Sequence, residues 1–128
     1  MSGEQSAQRV LLVEDDASLC SLITLELERI GLDVTCTDSS VDAIMKIRND
    51  RYAVVLLDIM LSGSSGLYVV DALRDMPAYD RPSVIVITGA RATMLTNIDR
   101  SVVKALFFKP LEMRSLCAYV KAVTTQHH

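Results

Sequence analysis

Residues 10–16 read Val10-Leu11-Leu12-Val13-Glu14-Asp15-Asp16. Four apolar residues without alternation, cut off by three acids, describe a strand buried on both faces that ends at a polar edge. The pattern returns along the chain. Ala53–Leu57 is apolar throughout and ends at Asp58, Ser83–Ile87 ends at Thr88-Gly89, and Ala105–Phe108 ends at Lys109-Pro110. Asp33–Thr37 reads as a weaker strand. Helical spacing fills the intervals. Leu19, Leu22, Ile23, Leu27 and Ile30 follow a start at Asp16 or Ala17 and close at Gly31. Ser39 or Ser40 can cap a helix carrying Val41, Ile44 and Ile47. Leu67, Val70 and Leu73 mark a third helix that stops before Pro77, Met94, Leu95 and Ile98 suggest a fourth, and residues 111–124 form the last. Five strands alternating with five helices predict an α/β fold, a doubly wound parallel sheet joined by right-handed crossovers.

The chain has 128 residues, half of them apolar and 23% charged, which is enough for one domain with its own core. The expected domain is 9–124, with a loose N-terminal segment 1–8 and a C-terminal tail 125–128. The net charge is −3 and Lys and Arg are scattered, so no direct binding of nucleic acid is expected. The longest apolar runs are strand-sized, so no membrane span is expected. The first eight residues are small and polar, unlike a secretory signal, and the expected location is the cytoplasm. Cys20, Cys36 and Cys117 are far apart with no Cys-x-x-Cys pair, and read as separate thiols in a reducing compartment. His127 and His128 end the chain and are as readily a tag remnant as native.

Open α/β sheets bind ligands outside the carboxyl ends of their strands. Here those ends offer Glu14, Asp15 and Asp16, then Asp58, then Thr88, then Lys109. Carboxylates brought together repel, so one holds a proton or a cation neutralises the set. Hard oxygen ligands in small number suit Mg²⁺, which also accepts phosphate oxygens. Asp58 would then be a nucleophile toward phosphorus, with Lys109 balancing charge and Thr88 donating a hydrogen bond. Each residue alone has a plainer role. Asp58 would be a turn former, the acid triplet a helix cap, Thr88 a strand-end cap and Lys109 a solvated charge. Caps and turns do not require acids, hydroxyl and base in this order at consecutive strand ends.

These residues resemble the receiver domain of bacterial two-component response regulators, over about Gln8 to Thr124. The matching pieces are residues 10–16, Val54-Val55-Leu56-Leu57-Asp58 with Gly66 eight residues on, Val84-Ile85-Val86-Ile87-Thr88-Gly89, and Phe108-Lys109-Pro110. The resemblance implies a CheY-like, flavodoxin-like fold with strand order 2-1-3-4-5. It implies phosphorylation of Asp58 by a sensor histidine kinase or histidine phosphotransfer protein. Glu14 and Asp15 become the acidic metal pair for Mg²⁺, with Asp58 and the backbone carbonyl of Met60 as further ligands. Thr88 and Lys109 sense the phosphoryl group and balance its charge. Asp16 matches a variable position and is expected only to cap its helix. The Lys109–Pro110 bond is expected to be cis.

Four departures from the family pattern stand out. Ser62 replaces a proline in a Ser/Gly-rich loop, which is expected to be more mobile. Leu106 stands where the family commonly has a switching aromatic, while Phe107 and Phe108 alternate to opposite faces. Val102-Val103-Lys104 replaces a small-residue turn before the last strand. Met60 and Ala90 flank the path a hydrolytic water would take, and neither can orient it. A slow self-dephosphorylation is therefore expected, with no other enzyme activity. A downstream target or attached output domain is left open, and a monomer or weak dimer is expected, with Arg100, Lys104 and Arg114 as polar candidates for a partner surface.

Three rival readings carry less. Haloacid-dehalogenase-type phosphatases share the Asp, Thr, Lys and Mg²⁺, but have a second Asp where Met60 stands. A flavodoxin or dinucleotide binder would find its phosphate repelled by Glu14-Asp15-Asp16, and Gly-x-Gly-x-x-Gly is absent. A phosphate-independent interaction domain of the same fold would be expected to lose the Asp, the Lys or the acidic pair, and all are present.

Overall fold

The computed structural model describes residues 8–61, 63–89 and 95–125. Expectations for residues 1–7, Ser62, Ala90, Met94 and the terminal histidines fall outside them. The elements run β1 (Arg9–Val13), α1 (Ala17–Arg29), β2 (Asp33–Thr37), α2 (Ser40–Asn49), β3 (Val54–Leu57), β4 (Met60–Leu61), β5 (Ser64–Ser65), α3 (Leu67–Arg74), a 3₁₀ turn (Ala78–Asp80), β6 (Ser83–Thr88), β7 (Val103–Phe108) and α4 (Met113–Thr125). Five strands form a parallel sheet in the order β2-β1-β3-β6-β7, the doubly wound order expected. Four α-helices lie among the described residues. The additional one expected around Met94, Leu95 and Ile98 falls largely on residues outside them.

The unbroken apolar runs are explained by the two faces of the sheet. Leu11 and Val13 of β1, Val55 and Leu57 of β3, and Val84 and Val86 of β6 pack against Ala43 and Ile47 of α2 and Val69, Val70 and Leu73 of α3. The alternate residues Val10, Leu12, Val54, Leu56, Ile85 and Ile87 pack against Ile23 and Leu27 of α1 and Leu116 and Val120 of α4. Each such side chain contributes about 1.5–3 kcal/mol by leaving water, so the three central strands anchor the molecule. The edge strands β2 and β7 are less buried, and β2, with Asp33, Thr35 and Thr37, is also the more polar in sequence.

Helix starts follow the capping chemistry. Asp16 Oδ1 accepts from Leu19 N at 3.1 Å, and Ser39 Oγ accepts from Asp42 N at 3.2 Å. Helix α1 ends at Gly31, whose φ of +91° lies in the left-handed region open to glycine.

Two local readings change. The loop after Asp58 contains a short antiparallel pair, Met60 with Ser65 and Leu61 with Ser64. The last strand begins earlier than its sequence suggests, because Val102 and Val103 are buried rather than lying in a solvated turn. The extension costs a register shift. Val84 faces Val103 and Ile85 faces Ala105, so exposed Lys104 bulges from the ladder. Among the described residues, no helix is long and apolar enough to cross a membrane.

Candidate phosphoacceptor site

The chemistry-bearing side chains sit one residue past their strands, or on the last residue of one, and backbone bonds hold them there. Glu14 N donates to Thr37 O at 3.0 Å and Asp58 N to Val13 O at 2.9 Å. Lys109 N donates to Thr88 O at 2.9 Å. The sheet ladder thus continues into the site, so the positions of Glu14, Asp58, Thr88 and Lys109 are fixed by the most buried part of the fold. Glu14, Asp58 and Thr88 are themselves buried, Asp15 and Lys109 partly so.

Gly66 closes the site from the other side. A Cβ at Gly66 would collide with the backbone carbonyl oxygen of Asp58 and lie 2.9 Å from Ile59 Cα. Only glycine lets the start of α3 approach the Asp58 backbone this closely, and Gly66 N donates to Ile59 O at 2.8 Å across the contact.

One ammonium serves two carboxylates. Lys109 Nζ donates to Asp58 Oδ2 at 2.7 Å and lies 2.7 Å from Glu14 Oε1. The other oxygens accept backbone donors, Asp58 Oδ1 from Met60 N at 2.9 Å and Glu14 Oε2 from Asp16 N at 3.1 Å. Glu14 Oε1 is fully buried, and the Lys109 ammonium is the polar group the structure places against it. Burial pushes the Glu14 carboxyl above its ordinary range, and the Asp58 charge adds to this. The hydrogen bonds of Lys109 and Asp16 oppose it only in part. Burial alone would lower the Lys109 ammonium, but the hydrogen bonds and charges of Asp58 and Glu14 together outweigh it and raise its pKa.

Carboxylate oxygens of Glu14, Asp15 and Asp58 lie within 4.8 Å of one another. A hard divalent cation with oxygen preference fits this donor set, because carboxylates this close repel one another and a cation would relieve that repulsion.

The sequence-predicted residues Glu14, Asp15, Asp58 and Lys109 are brought together, and Thr88 joins them at the end of β6 through its backbone bond to Lys109. Asp16 caps α1, as expected. Two contacts had no sequence signal. The Met60 amide, rather than its side chain, holds Asp58, and the Cys20 thiol donates to the Glu14 carbonyl oxygen at 3.3 Å from one turn into α1. The Lys109–Pro110 peptide is cis, as the resemblance implied. Phe107 packs edge to face on Tyr119, with ring centroids 5.7 Å apart, while Phe108 is exposed on the other face. Leu106 packs against the α2–α3 side of the core.

A doubly wound sheet of this order, with acids, threonine and lysine at these strand ends, defines a class of switch domain. The chain belongs to the response regulator receiver domain family, which it matches over residues 10–121. It is 31% identical over 116 residues to the DNA-binding response regulator MtrA of Mycobacterium tuberculosis, covering 90% of this chain and 50% of that protein. It is 30% identical over 120 residues to the uncharacterized transcriptional regulatory protein YkoG of Bacillus subtilis, covering 92% of this chain and 51% of that one. The chain thus spans about half the length of these curated relatives. Among solved structures it is similar to a signal receiver domain from Vibrio parahaemolyticus, with TM-score 0.83, 25% identity, and 94% and 92% of the two chains covered. It shares its fold with the response regulator TrrA of Thermotoga maritima, solved in complex with Mg²⁺ and BeF (TM-score 0.79, 23% identity, 91% and 98% covered).

Proposed function

We propose that Asp58 is the phosphoacceptor of this receiver domain, and that its phosphorylation switches the surface offered to partners. The observation that carries the reading is the buried Asp58 carboxylate, bonded to Lys109 and clustered with Glu14 and Asp15. An Asp58 oxygen forms the new bond to phosphorus as the bond from phosphorus to the donor breaks, and the electron pair leaves with the donor. The Met60 amide and Lys109 ammonium hold the two carboxylate oxygens, so the nucleophile is oriented before the donor arrives. Lys109 then balances charge on the transferred group, and the Thr88 hydroxyl donates to one of its oxygens.

Glu14, Asp15, Asp58 and the backbone carbonyl of Met60 would hold Mg²⁺, which when bound supplies neutralising charge to the phosphoryl oxygens. The TrrA complex with Mg²⁺ and BeF supports this by analogy. The domain spans 9–124, and acts as a signalling switch in the cytoplasm rather than as a metabolic enzyme. Its phosphoryl donor is a sensor histidine kinase or histidine phosphotransfer protein. The kinship with regulators about twice as long fits an output function outside the receiver fold, DNA binding in the case of MtrA.

Exposure to a small acyl phosphate with Mg²⁺ tests the reading by mass spectrometry of the intact protein. The wild type is expected to gain one phosphoryl group, and Asp58→Asn and chelator-treated wild type none. Equal modification of wild type and Asp58→Asn, or of neither, contradicts it.

A further inference from the structure

Helices α2 and α3 pack side by side on one face of the sheet. Each leads from the carboxyl end of one parallel strand back to the start of the next, so the two run in the same direction. Their outer sides carry matching stripes. On α2, Val41, Met45 and Arg48 follow the i, i+4, i+7 spacing of a single helical face, and all three are exposed. On α3, Tyr68, Asp71 and Asp75 follow i, i+3, i+7, again all exposed, with Asp75 the helical C-cap. Val41, Met45 and Tyr68 are 67%, 55% and 61% exposed, so three large apolar side chains meet water at the first turns of this helix pair. At the other end the stripes carry opposite charges, Arg48 on α2 and Asp75 on α3. Asp71 is paired within its own chain to Arg74 at 3.1 Å, and Lys46 to Asp42 at 3.5 Å. Among the described residues, neither Arg48 nor Asp75 takes part in an ion pair.

We propose that this face joins two copies of the chain in a symmetric dimer, with the two-fold axis running along the helices. Rotation about that axis sets α2 of one copy against α3 of the other, both pointing the same way. Val41 to Arg48 and Tyr68 to Asp75 are each seven residues, about 10.5 Å of helix, so the two stripes share one register. The apolar end of each stripe then meets the apolar end of the other. Arg48 meets the partner's Asp75, and the symmetry makes this pair twice. A two-fold axis across the helices instead sets Arg48 and Asp75 against apolar side chains, where their charges lose water and gain no partner. The complementarity of charge therefore selects both the occupant and its orientation. Burial of Val41, Met45 and Tyr68 supplies the attraction, and the two charge pairs fix the register.

Sedimentation equilibrium of the chain, from low micromolar to near-millimolar concentration, tests the proposal. The wild type is expected to move from the monomer mass toward the dimer mass, and Met45→Glu to remain a monomer with an unchanged circular dichroism spectrum. Arg48→Asp and Asp75→Arg are each expected to weaken self-association about tenfold or more, because each sets like charges against each other twice. An equimolar mixture of those two variants is expected to dimerise again, since each mixed pair restores both attractive contacts, and a misfolded variant could not give this recovery. A wild type that stays monomeric throughout, which would leave the face to a different occupant, overturns the proposal. So does a dimer that Met45→Glu leaves intact, or a mixture that associates no better than its components.

Discussion

Lys109 is the residue on which the pocket's charge balance turns. It is the cation in contact with two buried carboxylates, and its removal leaves Glu14 and Asp58 as neighbouring acids in a poorly solvated space. Lys109→Met is expected to lower stability by about 1–3 kcal/mol, a moderate figure because the ammonium is partly solvated. Urea denaturation near neutral pH measures it, and an unchanged or higher midpoint would count against this balance. Met60 carries a second expectation. Its side chain is exposed beside the pocket and has no group to orient a water. Met60→Asn is expected to speed loss of the phosphoryl group several-fold, timed by mass spectrometry after removal of the donor, and an unchanged rate would refute it. The identities of Asp58, Thr88 and Lys109 were legible because each punctuates an apolar run. The doubly shared ammonium and the amide of Met60 were not, because they depend on how separate strand ends converge in space.

At the scale of elements, the approach of α3 to the Asp58 backbone makes Gly66 a test of how tightly the loop is built. Gly66→Ala places a methyl against the Asp58 carbonyl. It is expected to destabilise the domain by roughly 1–3 kcal/mol through forced backbone movement, measured by denaturant unfolding. A second element contact ties α3 to the segment before β7. Arg74 Nε donates to Asp99 Oδ2 at 2.7 Å, and Ser101 N donates to Asp99 Oδ1 at 2.9 Å. The hydrogen bonds of Ser101, and then of Arg74, hold the Asp99 carboxyl far below the usual carboxylate range. A lowered folded-state pKa stabilises the protein above the unfolded value of about 3.9, and this is lost as pH falls below it toward the folded value. The difference in urea midpoint between wild type and Asp99→Asn is therefore expected to be wide at neutral pH and to shrink well below pH 4; a constant difference would exclude this linkage.

The helices themselves were legible wherever a cap and an apolar stripe coincided, as at Asp16 and Ser39. The start of β7 was not. Val102-Val103-Lys104 looks like a misplaced turn until the register shift shows that two valines enter the core and the lysine bulges out. The pairing of Met60–Leu61 with Ser64–Ser65 was equally hidden, because two-residue strands leave too little periodicity to read.

For the whole molecule, the parallel sheet covered on both faces was legible because three strands are apolar without alternation, while the order of its strands was implied only by the resemblance to receiver domains. The same sheet that hides Asp58 also connects it to the distant edge. Asp58 follows β3, β3 pairs with β6, and β6 pairs with β7, which carries exposed Lys104 and Phe108. Leu106, packed against the α2–α3 side of the core, stands where a switching ring was expected, so this position has no ring to rotate. All of this rests on the phosphoryl group arriving at one carboxylate. Reducing the acyl phosphate with borohydride after exposure to the phosphodonor and Mg²⁺, then sequencing peptides by mass spectrometry, locates it directly. The account predicts conversion of Asp58 alone to homoserine, and conversion at Glu14, Asp15 or any residue outside the pocket would contradict it.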